Sequence, residues 1–324
     1  MPLHPRGLAR AAVSAAAVLS AGGLASAAVQ EAAAARDRRR FPPPGRLIDV
    51  GGRRLHLLEV GQGSPAVVVV PGLGDGVLSW IGIQRALAPE LRMVLYDRSG
   101  VGWSDPAPRG RRTSDSVAAE LHELLGAARI APPYVLVAHS LGGIFARRFA
   151  VRWPGSVAGL ILVDSSHEGQ AGLGGKGWPN RRRDYVRNAL KWQLRPLGLY
   201  RLGAAAGLAR ELAADTASTA PPGHAAAYRA IMLSTRLRRT VARELLMMAS
   251  LTGPPPRLGS VPLTVITAGG LKLPGWPELQ AELAALSDCS RHLVAEGSGH
   301  YVQLDQPEIV CDAIRAHWYQ ARPG

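Results

Sequence analysis

The sequence predicts an α/β protein: a mostly parallel central sheet flanked by helices, with a helical segment inserted after the sixth strand. Three observations carry this. Short apolar runs suited to buried strands alternate with stretches whose apolar residues recur at helical spacing. One such run, Tyr134–His139, ends abruptly in Ser140 and leads straight into a helix-compatible stretch. The alternation breaks once, from about residue 166 to residue 256, where no strand run occurs and Arg, Ala and Leu recur at helical spacing.

The elements follow in order. Arg46–Val50 and Arg53–Val60 alternate around Gly51-Gly52, as an antiparallel hairpin does. Ala66–Val70 is apolar throughout, as expected of a strand covered on both faces, and ends in Pro71-Gly72-Leu73-Gly74. A helical stretch to Leu91, a strand at Met93–Tyr96 and a helix over Ser116–Leu125 come next. The serine-ending strand, a helix over Ile144–Val151 and a strand at Leu160–Val163 complete the first half. The interrupting segment reads as three helices, Tyr185–Leu194, Ala225–Leu237 and Val241–Leu251. The alternation resumes with a strand at Leu263–Thr267, a helix over Glu278–Leu286, a strand at Arg291–Ala295 and a closing helix over Pro307–Trp318. Strands separated by helices imply right-handed crossovers.

Composition narrows the function. A chain of 324 residues with 47% hydrophobic and 19% charged residues is globular. The formal net charge of +14 comes almost wholly from arginine spread along the chain. No nucleic-acid motif accompanies it, so nucleic acid is not an expected partner. The basic start (His4, Arg6, Arg10), the uncharged Ala11–Val29 and the small-residue Ala25-Ser26-Ala27 read as a cleaved export signal or an uncleaved membrane anchor. Export, secreted or membrane-anchored, is the expected location. The stretch up to Gly45, with Pro42-Pro43-Pro44, reads as a spacer. Cys289 and Cys311 are expected to be free buried thiols, although an exported protein could bridge them. No Cys or His spacing suits a metal.

A strand that turns sharply into a helix needs small neighbours, because larger side chains would collide with adjacent backbone. Ala138, Gly142 and Gly143 meet that need around Ser140. Such a turn holds the hydroxyl at the carboxyl edge of the sheet, with a helix N-terminus aimed at it. A serine hydroxyl is a weak nucleophile and needs a base, which in turn needs a partner to fix its tautomer. His300, in Gly297-Ser298-Gly299-His300-Tyr301 after the last strand, is the base candidate at the same edge. His139 adjoins the serine, and its backbone direction is expected to point its ring away.

These motifs stand in the order of a known family. Pro71-Gly72-Leu73-Gly74, the Tyr96–Ser104 segment (YDRSGVGWS), the serine turn and Gly299-His300 before Gln306-Pro307-Glu308 together resemble the α/β-hydrolase superfamily, over about Arg46 to Ala321. The resemblance implies the α/β-hydrolase fold, with residues 46–165 and 257–324 as core and 166–256 as a helical cap, preceded by a leader (1–30) and spacer (31–45). It also implies an oxyanion hole from the backbone N–H groups of Leu73 and Leu141. Pro71 stands where the family often has histidine. The resemblance implies an acid most often after the strand that matches Leu263–Thr267, where no carboxylate stands before Glu278, and in a minority of the family after the preceding strand, where Asp164 stands; Asp164 is therefore the leading acid candidate, with Glu278 and Asp288 as alternatives. Asp97 and Arg98 are expected to organise the loop beside the site. The expected activity is that of a cofactor-independent serine hydrolase acting on a small acyl substrate, a carboxylic ester above all. A ligand-binding receptor on the same scaffold and an acyltransferase are the alternatives. Membrane association, if any, would run through the N-terminal segment.

Overall fold

In a computed structural model, residues 25–173, 181–194, 201 and 223–322 are described. The expected hairpin is β1 (Arg46–Asp49) and β2 (Arg54–Val60), antiparallel, with Leu47 opposite His56. The remaining strands are β3 (Ala66–Val70), β4 (Met93–Tyr96), β5 (Tyr134–His139), β6 (Val157–Val163), β7 (Leu263–Ala268) and β8 (Ser290–Ala295). They join one eight-stranded sheet in the order β1-β2-β4-β3-β5-β6-β7-β8. β2 is antiparallel to both its neighbours, whereas every pairing from β4 to β8 is parallel. The molecule has the α/β-hydrolase fold.

The helices are α1 (25–40), α2 (Ile81–Leu87), α3 (Ser114–Ala127), α4 (Gly142–Arg152), α5 (Arg181–Leu194), α6 (Ala225–Met232), α7 (Thr235–Ser250), α8 (Trp276–Ala284), α9 (Val302–Asp305) and α10 (Pro307–Ala321). Successive strand side chains point to opposite faces. Val68 and Val70 of β3 therefore meet α3 and α4 through Leu121, Phe145 and Phe149. Val67 and Val69 meet α2 and α10 through Ile83, Leu87, Ile314 and Trp318. All four valines are fully buried, each worth about 1.5–3 kcal/mol relative to exposure. Two covered faces explain why β3 and β5 read as unbroken apolar runs.

Between β6 and β7 the described residues include α5, α6 and α7. α5 and α7 pack through Ala189, Leu237, Val241, Ala242 and Leu245. The single helix expected over Ala225–Leu237 is broken after Met232. Ser234 takes an extended conformation, and its hydroxyl accepts from the Leu237 N–H at 3.2 Å, so it starts α7 instead.

The expected spacer is also corrected. Residues 31–40 are helical and docked rather than extended. Ala32–Ala35 is a run of the strongest helix former. Gln30 and Ala34, four residues apart on one face, are both buried. The Gln30 amide donates to the Leu233 carbonyl at 2.6 Å, and Arg201 pairs with Asp37 at 2.8 Å. The prolines after Phe41 end the helix. Residues 1–24 of the leader lie outside the described residues, as do 174–180, 195–200 and 202–222 of the expected cap. Among the described residues no helix is long and apolar enough to cross a membrane. Both cysteines are free; Cys311 is buried as expected, but Cys289 is exposed, lying just before the outermost strand.

His317 of α10 is packed under β6. Its Nε2 hydrogen-bonds Thr264 Oγ1 at 2.8 Å, and a Cβ at Gly159 would lie 2.4 Å from its Nδ1. Burial, aided by the positive charge of Arg291, pushes its pKa down to about 4 from the ordinary 6.5. Between those values the unfolded chain binds the extra proton and the folded chain does not, so stability falls as the pH falls. His317→Gln should therefore flatten the loss of stability between pH 6.5 and 4 in urea unfolding. An unchanged slope would remove His317 as its source.

Candidate active site

Ser140 stands at the end of β5 with φ +52°, a left-handed conformation rare for a side-chain-bearing residue. Backbone bonds hold it there: its N–H donates to the Val163 carbonyl at 3.1 Å, and its carbonyl accepts from Gly143 and Ser166 at 3.0 and 2.9 Å. The need for small neighbours is steric. A Cβ at Gly142 would lie 2.1 Å from the Val70 carbonyl oxygen, and one at Gly143 would lie 1.8 Å from Ser165 Oγ.

His300 and Asp164 meet this serine. His300 Nε2 lies 2.9 Å from Ser140 Oγ, and its Nδ1 lies 2.5 Å from Asp164 Oδ2. A carboxylate only accepts, so Nδ1 carries the proton and Nε2 is left to accept from the serine hydroxyl. Asp164 is fully buried at the end of β6, also left-handed at φ +39°. Its other oxygen accepts from the Ala268 N–H at 3.1 Å and the Trp276 indole at 2.8 Å. Such donors offset the cost of burying the carboxylate. Glu278 is exposed on the first turn of α8, and Asp288 is exposed and paired with Arg257 at 3.0 Å; neither is hydrogen-bonded to His300.

The His300 loop is held from below. Asp305 accepts from the Gly299 N–H at 2.8 Å. The His139 ring does not point away, as expected from its backbone direction; it packs 4.6 Å from the His300 ring, centroid to centroid. Its Nε2 donates to the His300 carbonyl at 2.8 Å. Burial and the neighbouring His300 push His139 well below the ordinary histidine pKa, so it stays neutral and serves as this donor.

The loop after β3 approaches the serine closely: a Cβ at Gly72 would lie 3.1 Å from Ser140 Cβ. Leu141 directly follows the nucleophile candidate, and Leu73 lies in this loop. Neither N–H is used in a backbone hydrogen bond among the described residues. The loop is fixed by Arg98, fully buried, which donates to the Pro71 and Gly72 carbonyls at 2.6 Å each. Asp97 braces the adjoining turns, accepting from the Val77 and Trp103 N–H groups at 3.0 and 3.2 Å and bonding His56 Nδ1 at 2.7 Å.

A cavity of about 250 Å³ adjoins the loop, lined by Leu73, Trp192, Tyr228, Leu245 and Tyr301. Asp75 also borders it; burial pushes its pKa up to about 6, against the opposing bonds from Ser79 and Gly76. Among the described residues no group of three or more His, Cys, Asp or Glu is placed to hold a metal.

Arg98 braces a loop beside the serine, as its position in the sequence led us to expect; Trp276 and His139 were not singled out in these roles by sequence, because each acts on a partner brought close only by folding. Comparison with known proteins agrees with the fold. Residues 65–205 match the family model for the alpha/beta hydrolase fold. That match spans less than half of the chain and supports the fold described above. Among curated proteins it is 36% identical over 107 residues to an AB hydrolase superfamily protein of Gibberella zeae; that match covers 32% of this chain and 33% of the relative. Among solved structures, an esterase from Thermogutta terrifontis superposes with TM-score 0.65 at 24% identity, covering 86% of this chain and 99% of the other. An enol-lactonase from Burkholderia xenovorans LB400 gives TM-score 0.62 at 20% identity, covering 84% and 99%.

The Trp276 indole donates to a buried carboxylate. Trp276→Phe should destabilise the protein by roughly 1.5–3 kcal/mol, the range for a hydrogen bond to a charged group. Urea unfolding reads this directly; unchanged stability would mean that the indole does not support Asp164.

Proposed function

We propose that this hydrolase-fold protein is a serine hydrolase that cleaves a carboxylic ester through an acyl-enzyme. The single observation that carries the reading is the 2.9 Å approach of His300 Nε2 to Ser140 Oγ, with Asp164 behind the imidazole at 2.5 Å. Ser140 Oγ attacks the acyl carbonyl while His300 Nε2 takes its proton. Asp164 keeps the tautomer and balances the imidazolium. The N–H groups of Leu73 and Leu141 receive the charge that develops on the carbonyl oxygen, where losing one donor typically costs about 2.7–4 kcal/mol of barrier. His300 then protonates the departing alcohol. Water, deprotonated by the same nitrogen, releases the acid and restores the serine.

The half-apolar wall of the 250 Å³ cavity suits a compact acyl group. The Thermogutta and Burkholderia structures belong to proteins named as an esterase and an enol-lactonase, and both names fit acyl chemistry at a serine. We also place the protein outside the cytoplasm, secreted or tethered by its N-terminal segment, on the strength of the basic and then uncharged leader.

Fluorophosphonate labelling followed by a p-nitrophenyl ester series tests this. Ser140→Ala should lose all label and on the order of 10⁴-fold or more in turnover. Label that persists would reject the nucleophile. Asp164→Asn should stay folded and lose on the order of 10³–10⁴-fold in kcat; near-normal rates would reject the acid. Labelling of the intact protein without repeated turnover would instead favour a receptor, and ester products formed with added alcohol would favour acyl transfer.

A further inference from the structure

Glu244 lies on α7, in the helical segment, yet its side chain is fully buried against the core. Its two oxygens accept from Arg98 Nε and Nη2 at 3.2 Å each, and one also accepts from Arg112 Nε at 3.0 Å. Burial alone would push the carboxyl up, but the two guanidinium groups outweigh it and hold the group below the ordinary carboxylate range. Arg98 grips the carbonyls of Pro71 and Gly72, the latter shared with the Asp75 N–H at 3.2 Å.

The Gly72 carbonyl and the Leu73 N–H belong to one peptide unit. In a planar trans unit the two point in opposite directions. Holding the Gly72 oxygen therefore aims the Leu73 N–H. The same helix turn that carries Glu244 also carries Val241 and Leu245, which line the cavity. Val241 further touches the loop, since a Cβ at Gly74 would lie 3.1 Å from its Cγ2. One helix thus contacts the cavity, the loop and the arginine that orients the loop.

We propose that Glu244 is a positioning residue: through Arg98 it sets the direction of the Leu73 N–H, so that seating of α7 and readiness of the oxyanion hole are a single equilibrium. The proposal rests on the reading of Ser140 as the acylated nucleophile. Removing the counter-charge lets the guanidinium leave the carbonyls, so that the Gly72 oxygen is held only by the Asp75 N–H and the peptide unit can shift. The loss falls on the step in which charge develops on the substrate oxygen, with ground-state binding little changed.

The test uses the full chain, with active sites counted by fluorophosphonate titration. Glu244→Gln keeps shape and removes charge; Glu244→Asp keeps charge and shortens the reach. For a p-nitrophenyl ester, kcat per titrated site should fall about 10- to 100-fold in the first variant and less in the second, with KM within about threefold. The inhibition constant of a trifluoromethyl ketone, whose serine adduct places an oxyanion in the hole, should rise by the same factor as kcat/KM falls. A purely structural role would lower the thermal midpoint and the titratable fraction but leave kcat per site and the ketone constant unchanged; that result overturns the proposal. Recovery of neither variant in folded form would assign the ion pair to stability and also overturn it. Failure of the unsubstituted protein to take the label would instead remove the proposed function, a separate and recognisable outcome.

Discussion

The left-handed turn at Ser140 is the constraint around which this edge of the sheet is organised. A non-glycine residue in that region costs of order 1–3 kcal/mol and persists only where its surroundings over-determine it. Here they do. The turn is tied to the end of β6 by the Val163 carbonyl, to Ser166 by its own carbonyl, and to the loop after β3 by the absence of side chains at Gly72 and Gly142. Asp164, on the neighbouring strand, is left-handed as well. Two strained residues at the ends of adjacent parallel strands bring their side-chain oxygens to the same edge, and the loop after β8 supplies the imidazole between them. The parallel register acts as the ruler. Val137 pairs with Ile161 and Leu162 with Val265, so the strand ends fall level without any contact between distant loops having to set them.

Charge supports this edge from beneath. Arg98, Glu244 and Arg112 are buried together, and each would be costly alone. Their pairing satisfies the loop carbonyls that β3 leaves exposed when its chain turns. His139 does similar work for the His300 carbonyl, and its neutrality, enforced by burial, keeps positive charge away from the neighbouring His300 ring. Backbone placement at the site is thus delegated to side chains that touch no substrate atom in the proposed reaction.

What was legible in the sequence follows from how local its cause is. β3, β5 and β6 declare themselves through apolar runs, and the serine turn through glycines whose absent side chains leave room for backbone. Asp164 is legible through the family resemblance, which implies an acid after one of two strands: the stretch Ala268-Gly269-Gly270-Leu271-Lys272 offers no carboxylate, and the preceding strand ends in one. The Arg98–Glu244 pair spans 146 positions, and nothing near either residue announces the other. The Trp276 indole reaches Asp164 across 112 positions. The docking of 25–40 escaped notice because an alanine run beside prolines resembles a tether; only the partners of Gln30 and Asp37 make it a packed helix. His139 misled because backbone alternation gives the side of the strand on which a ring starts but not where a buried ring settles.

Housing the carboxylate at the tip of β6 has an evolutionary consequence. The turn from Leu271 to Pro274 makes no hydrogen bond to Asp164; the adjoining strand and helix do so through the Ala268 amide and the Trp276 indole. Its length and composition are therefore free to drift, provided that those two anchors keep their spacing across the gap. Variation has room to accumulate there without disturbing the contacts that hold Asp164.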